Sequence, residues 1–201
     1  VERPSVRRTQ SPRRSFCTKG SPRIARRLMR AGDRMVLTEL NSKDCASLTT
    51  LFARDKQVKV ELRDGYQALD AFLPPLERRG LVFIDSSFDR AQEFSRLSKG
   101  LAEACKKFAT GVYALWYPLM EPAAMIAFER RVIATGIRKI LQLEISVHAA
   151  NRVLGLRGCG MLVVNPPFGF EGAARKILTW LQPLLANESA PAHRVRWLVA
   201  E

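Results

Sequence analysis

At 201 residues, 47% of them hydrophobic and 26% charged, the chain is long enough for one compact domain with a full core. Lys and Arg number 33 against 19 Asp and Glu, a formal charge of +14, which favours a polyanion, nucleic acid ahead of an acidic membrane surface, over a small neutral partner. No run nears the roughly 18 apolar residues that span a bilayer and no secretory pattern is present, so the expectation is a cytoplasmic, monomeric protein without a membrane partner.

Ten of the basic residues and one acid fall in residues 1–30, so +9 of the +14 is concentrated there. Arg7, Arg8, Arg13 and Arg14 stand among Ser, Thr and Pro with almost nothing apolar, a composition that cannot bury a core. Residues 1–16 are therefore read as a basic disordered arm or a leader, either solvated or laid against RNA, and residues 17–201 as the folded part. Cys17, Cys45, Cys105 and Cys159 are widely scattered with no Cys-x-x-Cys pair. They read as reduced packing residues, and no metal site is expected.

Helical spacing runs over Pro22 to Ala31, and a strand-like run follows at Met35 to Leu40. The alternation continues through Ser42 to Arg54, Val58 to Leu62, Tyr66 to Phe72, Leu81 to Asp85, Arg90 to Ala109, Val112 to Tyr117 and Pro122 to Thr135, a pattern that predicts a parallel sheet covered on both faces. The strand-like runs Ile140 to Ile145 and Met161 to Val164 are separated by a Gly-containing stretch without amphipathic pattern. A loop there predicts an antiparallel pair. A last helix over Ala173 to Gln182, ended by Pro183, leads to a final strand at Val195 to Val199.

Ligands of open α/β sheets bind beyond the carboxyl ends of the strands. Three early strands end in an acid, Glu39, Asp64 and Asp85. Any one of them alone is a common loop or cap residue, but three in succession point to a nucleoside site. Trp116 and Tyr117 end another strand and either stack a flipped base or pack the sheet against a helix. Lys106, Lys107, Arg130, Arg131, Arg138 and Lys139 read as solvated, some of them available to phosphates. The glycines of Gly155-x-x-Gly158-x-Gly160 do not lie between a strand and a helix and carry little weight as a dinucleotide motif.

Several stretches in order, Gly20-Ser21-Pro22, Leu37-Thr38-Glu39-Leu40, Asp64-Gly65, Phe108-Ala109-Thr110-Gly111, Tyr113 to Pro118, Ala134 to Gln142 and Asn165-Pro166-Pro167, resemble the bacterial 23S ribosomal RNA adenine-N6 methyltransferases. The resemblance runs from about Ser21 to the C-terminus. It implies a Rossmann-like class I methyltransferase sheet, mostly parallel with an antiparallel C-terminal strand pair, S-adenosyl-L-methionine as cofactor and large-subunit ribosomal RNA as partner. It further implies that Glu39 accepts from the cofactor's ribose hydroxyls, that Asp64 and Gly65 lie beside its adenine, and that Ser21 is another contact. Asp85 takes the first place of the family's catalytic Asp-Pro-Pro-Tyr, with the Ser86 carbonyl as second acceptor for the target amine and Phe88 as a stacking face.

Two departures stand out. Ser86-Ser87-Phe88 replaces Pro-Pro-Tyr, which removes the stiffness that proline confers on a loop. The family's first strand and its Gly-rich turn, expected upstream of Ser21, have no counterpart in the Arg-rich segment, so a first strand is expected to be missing and the chain to be N-terminally truncated. Asn165-Pro166-Pro167-Phe168 imitates a catalytic motif, yet it follows a late strand and is expected to be a structural strand-to-helix turn. The rival reading is a catalytically degenerate relative that only binds RNA.

Overall fold

The computed structural model describes residues 20–88, 92–148, 156–185 and 192–201, and it divides the chain into two compact units, Val1–Ala68 and Leu69–Glu201.

In the first unit, helix α1 (Ser21–Leu28) starts at Gly20 with Pro22 in its first turn, where a missing N–H costs nothing. Strand β1 (Met35–Glu39), helix α2 (Ser42–Phe52) and strand β2 (Val58–Leu62) follow. The Asn41 side chain accepts from the Lys43 and Asp44 amides and caps α2, satisfying donors that the first turn leaves open. Cys45, Leu48 and Phe52 form the buried stripe of that helix. β1 and β2 pair in parallel, with Met35 opposite Val58 and Glu39 opposite Leu62. Arg26 of α1 binds Asp55 and Gln57, which precede β2. Helix α3 (Gly65–Phe72) begins directly after Asp64.

The second unit holds β3 (Leu81–Ile84), α4 (Glu93–Lys107), β4 (Val112–Pro118), α5 (Pro122–Ile133), β5 (Ile140–Ser146), β6 (Gly158–Val164), α6 (Phe170–Leu185) and β7 (His193–Val199). Its five-stranded sheet has the order β3-β4-β6-β5-β7. β3 and β4 are parallel, while β6 runs antiparallel to both β4 and β5, and β7 antiparallel to β5. The expected antiparallel pair is thus present and is extended by β7. The eleven residues 147–157 between β5 and β6 are fewer than the dozen or so that a parallel crossover needs.

Helices cover both faces of this sheet. On one, Leu97 and Leu101 of α4 and Phe128 and Val132 of α5 close over Tyr113, Leu115, Tyr117, Ile140 and Leu162, all nearly or fully buried. On the other, Phe170 and Leu178 of α6 pack over Leu141, Val163 and Val195. Pro183 does not end α6, which continues to Leu185. Proline forfeits one backbone hydrogen bond but its own φ is helical, so the last turn carries on past it.

Candidate active site

In the first unit the parallel pairing carries Glu39 and Asp64 to the same edge. Glu39 closes β1 opposite Leu62, and Asp64 lies two residues beyond Leu62. Glu39 Oε1 accepts the Asn41 amide at 2.8 Å, which orients the half-buried carboxylate and leaves Oε2 without a partner among the described residues. Asp64 Oδ1 accepts the Tyr66 amide at 2.8 Å. A Cβ at Gly65 would come to 3.9 Å from Thr38 Oγ1, so the start of α3 passes close to the end of β1. Two oriented carboxylates and a close, side-chain-free backbone at one strand edge suit a nucleoside, whose ribose hydroxyls and base amine are donors. Ser21 opens α1 and is exposed.

In the second unit Asp85 follows β3, whose Ile84 is level with Leu115 of β4. The residue reaches solvent, yet partial burial of its carboxyl pushes the pKa above the ordinary 3.8. Ser86 and Phe88 are half-buried. Phe88 has a positive φ of 53°, a conformation uncommon for a bulky residue. Its ring packs inward, 4.9 Å from that of Phe94 on α4 and 5.9 Å, edge-on, from Trp116. Phe94 in turn meets Phe128, and Phe128 meets Tyr117.

That aromatic chain ends on a polar network that sequence reasoning missed. The Tyr117 hydroxyl donates to Glu144 and accepts from Gln142 Nε2. Gln142 also donates to Glu129 of α5. From β7, Arg194 binds Glu129 and Glu144, while Arg196 binds Gln142 and Glu129. The register explains the meeting, because Gln142 lies opposite Arg196 and Glu144 opposite Arg194, cross-strand pairs whose side chains share a face. Burial acts to raise the Glu129 pKa, but hydrogen bonds from Gln142 and Arg196 and the charges of both arginines outweigh it and hold the group below 4.5. A glutamine inside the apolar run Ile140 to Leu143, and two arginines at alternate positions, Arg194 and Arg196, in the first half of β7, were the available signals.

Tyr117 is therefore a packed residue, fully buried, whereas Trp116 is half-buried beside Phe88. Asn165 follows β6, which runs against β4, so it lies at the opposite edge from Asp85. There its amide donates to the carbonyls of Ala109 and Gly111, each at 2.8 Å. With φ at 51°, this is a tied strand-to-helix turn. Gly158 and Gly160 lie inside β6, where a Cβ would strike the Ile145 carbonyl or the Tyr117 ring; Gly155 lies outside the described residues. Cys45, Cys105 and Cys159 are free thiols, burial raising Cys105 to about 11, and Cys17 lies outside the described residues, as do residues 1–16. Among the described residues no cluster of His, Cys, Asp and Glu could hold a metal ion, and no helix is long and apolar enough to cross a membrane.

The family model described as "Ribosomal RNA large subunit methyltransferase D, RlmJ" matches residues 6–199. The chain belongs to this family. Two proteins named Ribosomal RNA large subunit methyltransferase J are similar to it. The one from Escherichia coli is 41% identical over 182 residues, 90% of this chain and 65% of its own length. The one from Haemophilus influenzae is 40% identical over the same shares. A solved protein structure from Legionella pneumophila superposes with a TM-score of 0.80 at 32% identity, covering 89% of this chain and 66% of that one. The chain thus spans about two thirds of the length of these relatives, and its mixed α/β fold is shared with the Legionella structure.

Proposed function

We propose that this chain is the larger part of an enzyme that methylates N6 of an adenine in large-subunit ribosomal RNA with S-adenosyl-L-methionine. The observation that carries the reading is the match to the methyltransferase family along nearly the whole chain, together with acids at the carboxyl ends of β1, β2 and β3 positions where α/β sheets bind ligands. S-adenosyl-L-methionine, when bound, supplies a methyl group on an electron-poor sulfonium.

The residues have distinct tasks on this reading. Glu39 accepts from the ribose hydroxyls through its open oxygen, Asp64 and Gly65 border the adenine, and Ser21 adds a further contact. At the target, the N6 lone pair is delocalised into the ring, so the amine needs help to become nucleophilic. Asp85 and the Ser86 carbonyl accept its two hydrogens and draw that lone pair out of conjugation, an electrostatic contribution that grows with charge in the transition state. Phe88, anchored by Phe94, buttresses the loop and offers its outer edge to the base. The basic charge holds the RNA, and the protein works as a cytoplasmic monomer.

The replacement of two prolines by Ser86 and Ser87 favours one rival, a relative that keeps RNA binding without turnover. Calorimetry with S-adenosyl-L-methionine and transfer of labelled methyl to protein-free large-subunit RNA decide between them, using the full-length gene product. Heat and label are expected; RNA binding with neither leaves only the rival.

A further inference from the structure

A cleft of about 330 Å³ opens between α5 and the ends of β4 and β5, near the lower limit for small-ligand pockets. Met120, Pro122, Met125 and Ile126 give its lining an apolar part, and Glu129, Arg157 and Arg194 a charged part. We propose that this cleft seats a second nucleotide of the substrate RNA, adjacent to the one whose base is presented at Asp85, with its base on the apolar part and its ribose 2′-hydroxyl on Glu129. This rests on the RNA methyltransferase reading above.

Three observations support it. The cleft lies beyond the same strand ends as Asp85, which is level with Trp116 by the pairing of Ile84 with Leu115. Leu119, which lines the cleft, lies three residues further along, about 10 Å at strand rise. Both places also lie on the α4/α5 face, because Phe88 packs there against Phe94, while α5 itself lines the cleft.

The second observation is the state of Glu129. Its Oε1 takes hydrogen bonds from Gln142, Arg194 and Arg196, and Oε2 has no partner among the described residues. A carboxylate fixed through one oxygen and open through the other is an acceptor waiting for a donor. A ribose 2′-hydroxyl supplies one where deoxyribose does not. Thirdly, the apolar part is solvent-facing although it is made of large side chains, with Met120 43% and Ile126 50% exposed. Such a lining with guanidinium groups fits a nucleotide, whose base has an apolar face and whose phosphate is anionic.

The test uses the full-length protein with a labelled, adenine-containing single-stranded oligoribonucleotide and its all-deoxy counterpart, read by fluorescence anisotropy, with calorimetry for S-adenosyl-L-methionine. Ile126→Asp changes an exposed position and places a negative charge in the apolar part of the lining. It is expected to weaken the oligoribonucleotide about tenfold, the scale of one lost base contact, and to leave S-adenosyl-L-methionine affinity unchanged. Glu129→Gln is expected to lose most of the ribose-over-deoxyribose preference of the unaltered protein. Unchanged oligoribonucleotide affinity in Ile126→Asp overturns the proposal, as does an unaltered protein with no ribose preference. Either result with S-adenosyl-L-methionine binding intact leaves the methyltransferase reading standing; absence of cofactor binding and methyl transfer in the unaltered protein removes that reading instead.

Discussion

The Tyr117 hydroxyl donates to Glu144 at 2.8 Å although a whole strand runs between them. Tyr117 is on β4, Glu144 on β5, and the residue opposite both on the intervening β6 is Gly160. The missing side chain leaves room for the tyrosine ring to cross the strand. Burial, and then the charge of Glu144, push the Tyr117 pKa strongly upward, so the hydroxyl keeps its proton and serves as the donor.

Gly160→Ala follows directly from this packing. A Cβ there would overlap the Tyr117 ring, and neither neighbour can move without breaking the network. Overpacking of this kind costs about 1–3 kcal/mol, to be read as a lower denaturation midpoint in urea; an unchanged midpoint would show that the ring has space to shift.

Asp85→Asn tests the amine-orienting position. Removing the charged acceptor is expected to lower methyl transfer roughly 10²–10³-fold, as for loss of one preorganised transition-state partner, with S-adenosyl-L-methionine affinity retained. Because partial burial raises the Asp85 pKa, the acidic limb of the rate against pH lies above 3.8. The sign for stability is the reverse of an ion-paired acid: a raised folded-state pKa favours the fold at low pH, and that benefit is lost as pH climbs through it. The asparagine variant is therefore expected to be no less stable than the parent at neutral pH, measured by thermal unfolding.

For Asn165→Ala the expectation is opposite. The side chain holds two carbonyls at the edge away from Asp85, and asparagine tolerates the positive φ better than alanine. Loss of about 1–3 kcal/mol is expected, with methyl transfer per folded molecule unaltered. A selective loss of turnover at full stability would reinstate this motif as catalytic.

Restoring proline at both Ser86 and Ser87 addresses the altered loop. Each compatible proline adds about 0.4–1 kcal/mol by restricting the unfolded chain, and a stiffer loop holds Asp85 and the Ser86 carbonyl in place. Faster single-turnover methyl transfer is expected; slower transfer would mean that the positive φ of Phe88 depends on the serines.

Much was legible in the residues taken alone. The strand-like runs and the helices between them rest on local hydrophobic periodicity, which burial imposes directly on the chain. The stretch between β5 and β6 lacks such a pattern, and from that the antiparallel return of β6 was legible. Family membership was readable from ordered short motifs, and the acids at Glu39, Asp64 and Asp85 from their places at strand ends.

Other features depend on which residues meet across long separations, and no local pattern encodes that. Tyr117 and Trp116 are neighbours with equal claim to a base, and only the sheet register buried one against Glu144 and put the other beside Phe88. Asn165-Pro166-Pro167 has the composition of a catalytic turn, and strand direction alone carried it to the edge away from Asp85. Glu129 is an ordinary helical acid in the sequence. Arg194 and Arg196, arriving from β7 some 65 residues later, fixed one of its oxygens and left the other open.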